Sequence, residues 1–275
     1  MGARRAFVVE RLVDFSDGGS VALVCVESLN QMANSRAEEL ANQWGVPLAT
    51  GVTGGKGVKV VVSELALGLG FADPKKGKPF YVDFLSREWR TRLTKGLPKT
   101  HIFRRALGHK DKSLRIIDAT AGFGQDSVLA LCLGCEVIAV EKSSVVVTVL
   151  QNGVMRALRE DETIRSRFEN LSVVEADAET FLQQVAPADV VYLDPMFTKP
   201  KKSAKSPKEM QLLQDLLEPR PTADDLERLF SIAYTYARGR VVVKQPLKAK
   251  ALGRTPTHSF KGQSIRYDVY VKPQV

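Results

Sequence analysis

Residues 113–141 read "SLRIIDATAGFGQDSVLALCLGCEVIAVE", and this stretch decides the fold. An apolar strand, "SLRIID", ends in Asp118. Gly122 and Gly124 then let the backbone turn tightly and approach a ligand. "GQDSVLALCLG" carries apolar residues at helical spacing and stops at Gly134. "EVIAVE" follows as a second strand that ends in Glu141.

The alternation continues downstream. "SSVVVTVLQNGVMRALRE" is too long for a strand, so it reads as a helix despite its valines, capped by Ser143 or Ser144. "LSVVEAD" and "DVVYLD" read as strands, "TADDLERLFSIAYTYARG" as a helix, "RVVVKQP" and "SIRYDVYVKP" as strands. Strands alternating with helices imply an α/β fold, a mostly parallel sheet covered on both faces. The last two strands have little helix between them, which implies an antiparallel hairpin at one edge.

A seam lies near residues 95–113. The expected division is a small N-terminal α/β domain over 1–95 and a larger α/β domain over 96–275 with a basic lead-in. In the first, "RAFVVERLVDF", "VALVCVES", "GVKVVVSELALGLGF" and "PFYVDF" read as strands. "NSRAEELANQWGV" reads as a helix capped by Asn34 or Ser35. The lead-in places Arg87, Arg90, Arg92, Lys95, Lys99, Arg104 and Arg105 around Trp89 and Phe103. It is either a solvated linker helix or a surface that faces nucleic acid.

Composition narrows the class. The chain has 275 residues, 44% of them apolar, so a sizeable core is available. No apolar run approaches the ~18–20 residues of a membrane span. "MGARRAFVVE" lacks the long apolar core of a secretory signal. A soluble, cytoplasmic protein with no membrane partner is expected. Three cysteines make no disulfide framework. Cys132 and Cys135 form a C-x-x-C without a second ligand pair, so the segment reads as a helix end turning into a strand and no metal is expected. The net charge of +9 favours a polyanionic partner, most often nucleic acid.

Sheets of this kind bind ligands outside the carboxyl ends of their strands. Four strands end in or just before acids: Asp118, Glu141, Asp177 and Asp194. Glu141 stands 19 residues beyond Gly122, where a carboxylate can take both hydroxyls of a ribose. Asp177 beside small Ala178 suits the edge of an adenine. The pattern therefore points to an adenosine-containing cofactor. NAD is a rival, but a third glycine is replaced by Ser127, and Asp126 puts negative charge where a diphosphate would sit. S-adenosylmethionine carries no phosphate and has a cationic sulfonium, so these acids suit it better.

The last of the four acids opens "DPMFTKPKKSAKSPKEM". Asp194-Pro195-Met196-Phe197 resembles the (N/D)-P-P-(Y/F) motif of methyltransferases that modify exocyclic amino groups. An aromatic amine is a poor nucleophile, because its lone pair is delocalised into the ring. A carboxylate and a backbone carbonyl accepting its N–H bonds localise that pair. Pro195 fixes the local backbone, and Phe197 can stack on the extruded base. Asp194, Pro195 and Phe197 are thus the catalytic candidates. Lys199, Lys201, Lys202, Lys205 and Lys208 can hold the flanking phosphates.

Taken together, "YVDF", "DATAGFGQD", "GCEVIAVEKSSVV", "VVYLDPMF", "KSA", "KEM", "RVVVK" and the closing "YDVY" resemble the RsmJ family of bacterial 16S rRNA guanine-N2 methyltransferases over most of the chain. The resemblance implies a Rossmann-like, seven-stranded class I methyltransferase sheet behind a small N-terminal domain. It implies S-adenosylmethionine as cofactor and 16S ribosomal RNA or the small ribosomal subunit as partner. Cofactor contacts would fall on Gln125, Asp126, Glu141, Lys142, Asp177, Ala178 and Asp194. Met196 stands where most related enzymes have a second proline, and Thr198 replaces a common proline after the Phe. The competing readings are an adenine amino methyltransferase, a non-catalytic RNA-binding assembly factor and an NAD-dependent dehydrogenase.

Overall fold

A computed structural model describes residues 23–49, 57–195, 208–217 and 221–273. The first expected strand, "RAFVVERLVDF", lies outside them.

Two sheets form. Strands β1 (Leu23–Ser28), β2 (Leu48–Ala49), β3 (Val58–Val62), β4 (Leu67–Phe71) and β5 (Phe80–Tyr81) make a five-stranded sheet in the order β2-β1-β3-β4-β5. Helix α1 (Asn34–Trp44) packs on it. Its start differs from expectation. Neither Asn34 nor Ser35 caps it; Ala33 holds the cap position with no side-chain bond. Asn30 instead accepts from the Ala33 amide and caps a short 3₁₀ turn that runs into the helix. "PFYVDF" contributes only a two-residue strand. The basic lead-in folds as α2 (Arg87–Lys95) and α3 (Ile102–Leu107). Several of its charges are already paired: Arg90 with Glu160, Arg92 with Glu88, and Arg104 with Asp111.

The second sheet holds β6 (Arg115–Asp118), β7 (Glu136–Glu141), β8 (Leu171–Glu175), β9 (Ala188–Leu193), β10 (Ala237–Pro246), β11 (His258–Lys261) and β12 (Ile265–Val271) in the order β11-β12-β10-β9-β6-β7-β8. Strands β6 to β10 pair in parallel, whereas β12 runs antiparallel to both β10 and β11. The expected edge hairpin is there, with β11 as an additional edge strand. Helices α4 (Gln125–Leu131), α5 (Ser144–Ala157), α6 (Glu162–Phe168), α7 (Ala178–Gln184), α8 (Lys208–Leu216) and α9 (Ala223–Tyr236) complete the described chain. Ser143 caps α5, and a Thr222–Asp225 capping box starts α9. Cys132 and Cys135 flank the turn between α4 and β7, both buried, and burial pushes their thiols up to about 12 and about 11.

Both faces of the seven-stranded sheet are covered, and the strands alternate between two cores. In β10, Val242 faces the core shared with α5 and the N-terminal sheet, while Val241 and Val243 face the α9 side with Phe230. Strand β6 lies between β7 and β9, so the chain runs outward from it in both directions. A crevice opens at such a reversal, at the carboxyl ends of the strands.

Helix α5 ties the two sheets together. Buried Asn152 accepts from the Leu67 amide of β4 at 3.0 Å. At Gly153 a Cβ would lie 2.6 Å from Val82 Cγ1 and 3.0 Å from its carbonyl oxygen, so only glycine permits this approach. Asn152→Ala strands a buried amide, and a loss of about 1–3 kcal/mol is expected. Urea unfolding measures it; an unchanged midpoint would mean this bond does not hold the sheets together.

A candidate cofactor and catalytic cavity

The crevice is a cavity of about 500 Å³ at the carboxyl ends of β6, β7, β9 and β10. It brings together Asp118, Gly122, Gln125, Asp126, Glu141, Lys142, Asp177, Ala178, Asp194 and Pro195, although Asp118 and Pro195 are 77 positions apart. Gly124 does not line it, although its neighbours Phe123 and Gln125 do. Phe197, Lys199, Lys201, Lys202 and Lys205 fall outside the described residues.

The glycine turn is required by geometry. Gly122 and Gly124 have φ of +52° and +74°, where side chains are strained. A Cβ on Gly124 would also meet Leu150 Cδ1 at 2.7 Å. Glu141 holds this turn from across the sheet. One of its oxygens accepts from the Gly122 amide at 3.1 Å and the other from the Ser143 amide at 2.9 Å. Glu141 is only 7% exposed, and burial raises its pKa against the opposing effect of those amides and Lys142. Asp177 accepts from the Thr180 amide at 3.0 Å and so caps α7 while lining the cavity.

Deeper, the side chains form a charged relay. Asp118, 2% exposed, accepts from Ser127 Oγ at 2.6 Å and from the Thr120 amide at 3.3 Å. Burial pushes its pKa up to about 7, partly offset by the Ser127 bond and reinforced by Asp126 and Asp194. Lys244 Nζ lies 2.8 Å from Asp126 Oδ2 and 2.8 Å from Asp194 Oδ2. Burial alone would lower its pKa, but the two carboxylates outweigh burial and raise it. The Tyr192 hydroxyl donates to Asp126 Oδ2 at 2.7 Å. Its ring is clamped by Phe103 and Tyr267 at centroid distances of 5.6 and 6.4 Å. The Asp194 amide donates to Thr120 Oγ1 at 2.6 Å. Burial also raises the Asp194 carboxyl, to about 6, with Lys244 pulling it down and Asp126 pushing it up. Its side chain stays 30% exposed, so it remains reachable from the cavity.

Sequence reading missed Lys244, Ser127 and Tyr192 as members of this site. Lys244 looked like the polar end of an apolar strand. Its proximity to Asp126 and Asp194 arises only when β10 pairs with β9. It also missed α8, whose Met210 and Leu213 roof the cavity; Leu213 lies 3.5 Å from where a Gly122 Cβ would be.

Among the described residues, eight carboxylates line the cavity against three cationic side chains, Lys142, Arg228 and Lys244, in a protein of net charge +9. Such a lining repels a diphosphate and attracts a cation. Its acid-rich depth and apolar roof fit a sulfonium-bearing adenosine compound. Fold and site together define an S-adenosylmethionine-dependent methyltransferase.

Comparison with known proteins agrees. A family model described as "Putative SAM-dependent methyltransferase" matches residues 39–272. The ribosomal RNA small subunit methyltransferase J of Thioalkalivibrio sulfidiphilus is 32% identical over 253 residues, covering 90% of this chain and 97% of that protein. Its namesake in Coxiella burnetii is 34% identical over 240 residues, 86% and 92% of the two chains. A SAM-dependent methyltransferase of Neisseria gonorrhoeae has a similar crystal structure, with a TM-score of 0.62, 25% identity and coverage of 89% and 95%. The chain belongs to the ribosomal RNA small subunit methyltransferase J family.

Two outcomes are expected. Glu141→Ala weakens S-adenosylmethionine binding by about 1–3 kcal/mol, because charged hydrogen bonds disappear and the glycine turn loosens; unchanged affinity in calorimetry would remove Glu141 from the site. The second is a proton linkage. With carboxyls at about 7 and about 6, Asp118 and Asp194 are partly protonated at pH 6.5. A cationic ligand favours their charged forms. Binding therefore releases protons at that pH, and affinity rises as pH increases through this window. Calorimetry in buffers of different ionisation enthalpy reads the sign; proton uptake would contradict it.

Proposed function

We propose that this enzyme transfers a methyl group to the exocyclic N2 amine of a guanosine in 16S ribosomal RNA, as free RNA or within the small subunit, in the cytoplasm. The observation that carries the reading is Asp194, an acceptor held at the cavity's edge by Lys244, with Pro195 next in the chain. The methyltransferase J relatives, named for ribosomal RNA of the small subunit, supply the substrate class.

Each residue then has a task. Glu141 faces the ribose of the cofactor, with Lys142 beside it. Asp177 and Ala178 meet the adenine, and Gly122, Gly124 and Gln125 shape the turn that approaches it. Asp118 and Asp126 offset positive charge. When bound, S-adenosylmethionine supplies an electrophilic methyl group on a positively charged sulfur. Asp194 and the neighbouring backbone accept N–H bonds from the amine, localising its lone pair for in-line attack. As the new C–N bond forms and the S–C bond breaks, the amine sheds one proton, for which Asp194 is the adjacent acceptor. Catalysis is mainly positioning. Phe197 would stack on the base, and Lys199, Lys201, Lys202 and Lys205 would hold phosphates; these five are assigned from sequence. The five-stranded sheet would act as a platform on which α8 rests.

Asp194→Ala should cut methyl transfer by a factor on the order of hundreds. The assay is transfer of labelled methyl to naked 16S rRNA and to undermethylated subunits. Near-normal turnover would overturn the amino-methyltransferase reading. Neutralising Lys201 and Lys202 together should weaken RNA binding at all sequences alike. It should also flatten the salt dependence, by about 0.7–0.9 in slope for each phosphate no longer neutralised, with cofactor affinity unchanged. Parallel salt lines for wild type and variant would place these lysines away from RNA.

A further inference from the structure

We infer that Lys244 is a specificity-determining positioning residue: by bridging Asp126 and Asp194 it keeps Asp194 an ionised, acceptor-only group, and so selects a base whose amine lies beside a ring N–H. The inference rests on the guanine-N2 reading above and concerns why that site takes guanine and not adenine.

The geometry begins with the count of charges. Lys244 Nζ contacts one oxygen of each carboxylate, at 2.8 Å in both cases. Two carboxylates and one ammonium share a recess in which the three side chains are 13–30% exposed. Every element packed around Asp194 adds to the balance. Tyr192 of β9 and Tyr267 of β12 are both buried phenols with raised pKa values, and so neutral. Asp118 of β6 lies close enough for Asp194 to raise its pKa. Asp126 of α4 repels Asp194 directly. Among the described residues, Lys244 is the one cation that hydrogen-bonds Asp194. Without it, two carboxylates would face one another in a buried recess, and one of them would keep its proton at neutral pH.

The protonation state decides which base fits. An ionised carboxylate only accepts; a protonated one donates once and accepts elsewhere. Guanine presents its N2 amine next to N1–H, so two donors meet an ionised Asp194. Adenine presents its amine next to N1 with a lone pair, which an ionised carboxylate repels. 2-Aminopurine isolates this difference. It keeps the C2 amine of guanine, but its N1 carries a lone pair. An ionised Asp194 rejects it, whereas a protonated one pairs with it by donating to N1 and accepting from the amine.

The test uses full-length enzyme and RNA oligonucleotides carrying guanosine or 2-aminopurine at the methylated position, once that position is mapped. Wild type should methylate guanosine with an acid limb in kcat/KM near pH 6 and should discriminate against 2-aminopurine at pH 7.5. Lys244→Met should move the acid limb up by at least one pH unit. It should also raise the 2-aminopurine to guanosine rate ratio at least tenfold at pH 7.5. Lys244→Arg, which restores the positive charge, should bring both readouts back toward wild type. Circular dichroism and the thermal midpoint report separately whether Lys244→Met folds. If that variant does not fold, wild type alone decides, because its own ratio should rise as pH falls from 8 to 5. A ratio independent of pH in wild type, or a Lys244→Met limb and ratio equal to wild type, overturns the inference while leaving guanine methylation standing. If wild type methylates no guanosine in the oligonucleotide, in 16S rRNA or in undermethylated subunits, the guanine reading itself falls, and the inference with it.

Discussion

One ammonium holds the centre of this molecule together. Lys244 lies between Asp126 and Asp194, and these residues come from β10, the start of α4 and the end of β9. They meet because the parallel sheet sets β9 between β6 and β10. Two half-buried carboxylates this close repel one another without a cation between them, so the site keeps its charged form only if the strands pair in this order. The aromatic cluster of Phe103, Tyr192 and Tyr267 backs the arrangement and points the Tyr192 hydroxyl at Asp126. The basic lead-in helix α3, which supplies Phe103, is therefore part of the site's support although it lies far before Asp194 in the chain.

The cavity's roof depends on the N-terminal sheet. Helix α8 contacts β3 and β4 on one side and presents Leu213 toward the Gly122 turn on the other. Lys208 at its start lies 5.9 Å from the centre of the Phe71 ring. The N-terminal sheet is thus fastened to the larger one by buried contacts through α5 and α8. At the far edge, buried Arg266 pairs with Asp268 and donates to the carbonyl oxygens of Pro246, Leu247 and Ala249. It fixes the path of the chain just after β10, beside the site. Among the described residues, acids outnumber cations on the cavity wall, in a chain whose net charge is +9.

Much of this was legible in the sequence because it is local. The Gly122 turn, the acids at strand ends and the Ser143 cap each depend on a few neighbouring residues, and their periodicity is plain. The acids of β6, β7 and β9 lie where their spacing placed them. What was not legible depends on pairing between distant segments. Lys244 carries no mark within "RVVVKQP" that separates it from a solvated strand end. Short helices α6 and α7 have too few turns for a clear apolar stripe, and β11 has an exposed pattern without alternation. The α1 start was misread because Asn30, four residues earlier, caps a 3₁₀ turn that leads into the helix. A local capping rule applied at Asn34 does not detect that lead-in.

The identity of the methylated nucleoside tests the central claim most directly. Unmodified 16S rRNA and subunits lacking the modification are incubated with the enzyme and labelled S-adenosylmethionine, digested to nucleosides and resolved by mass spectrometry. The expected product is N2-methylguanosine at a single position, absent when Asp194 is replaced. Label in N6-methyladenosine, in a ring-nitrogen or ribose methyl, or in no nucleoside of either substrate would contradict the account.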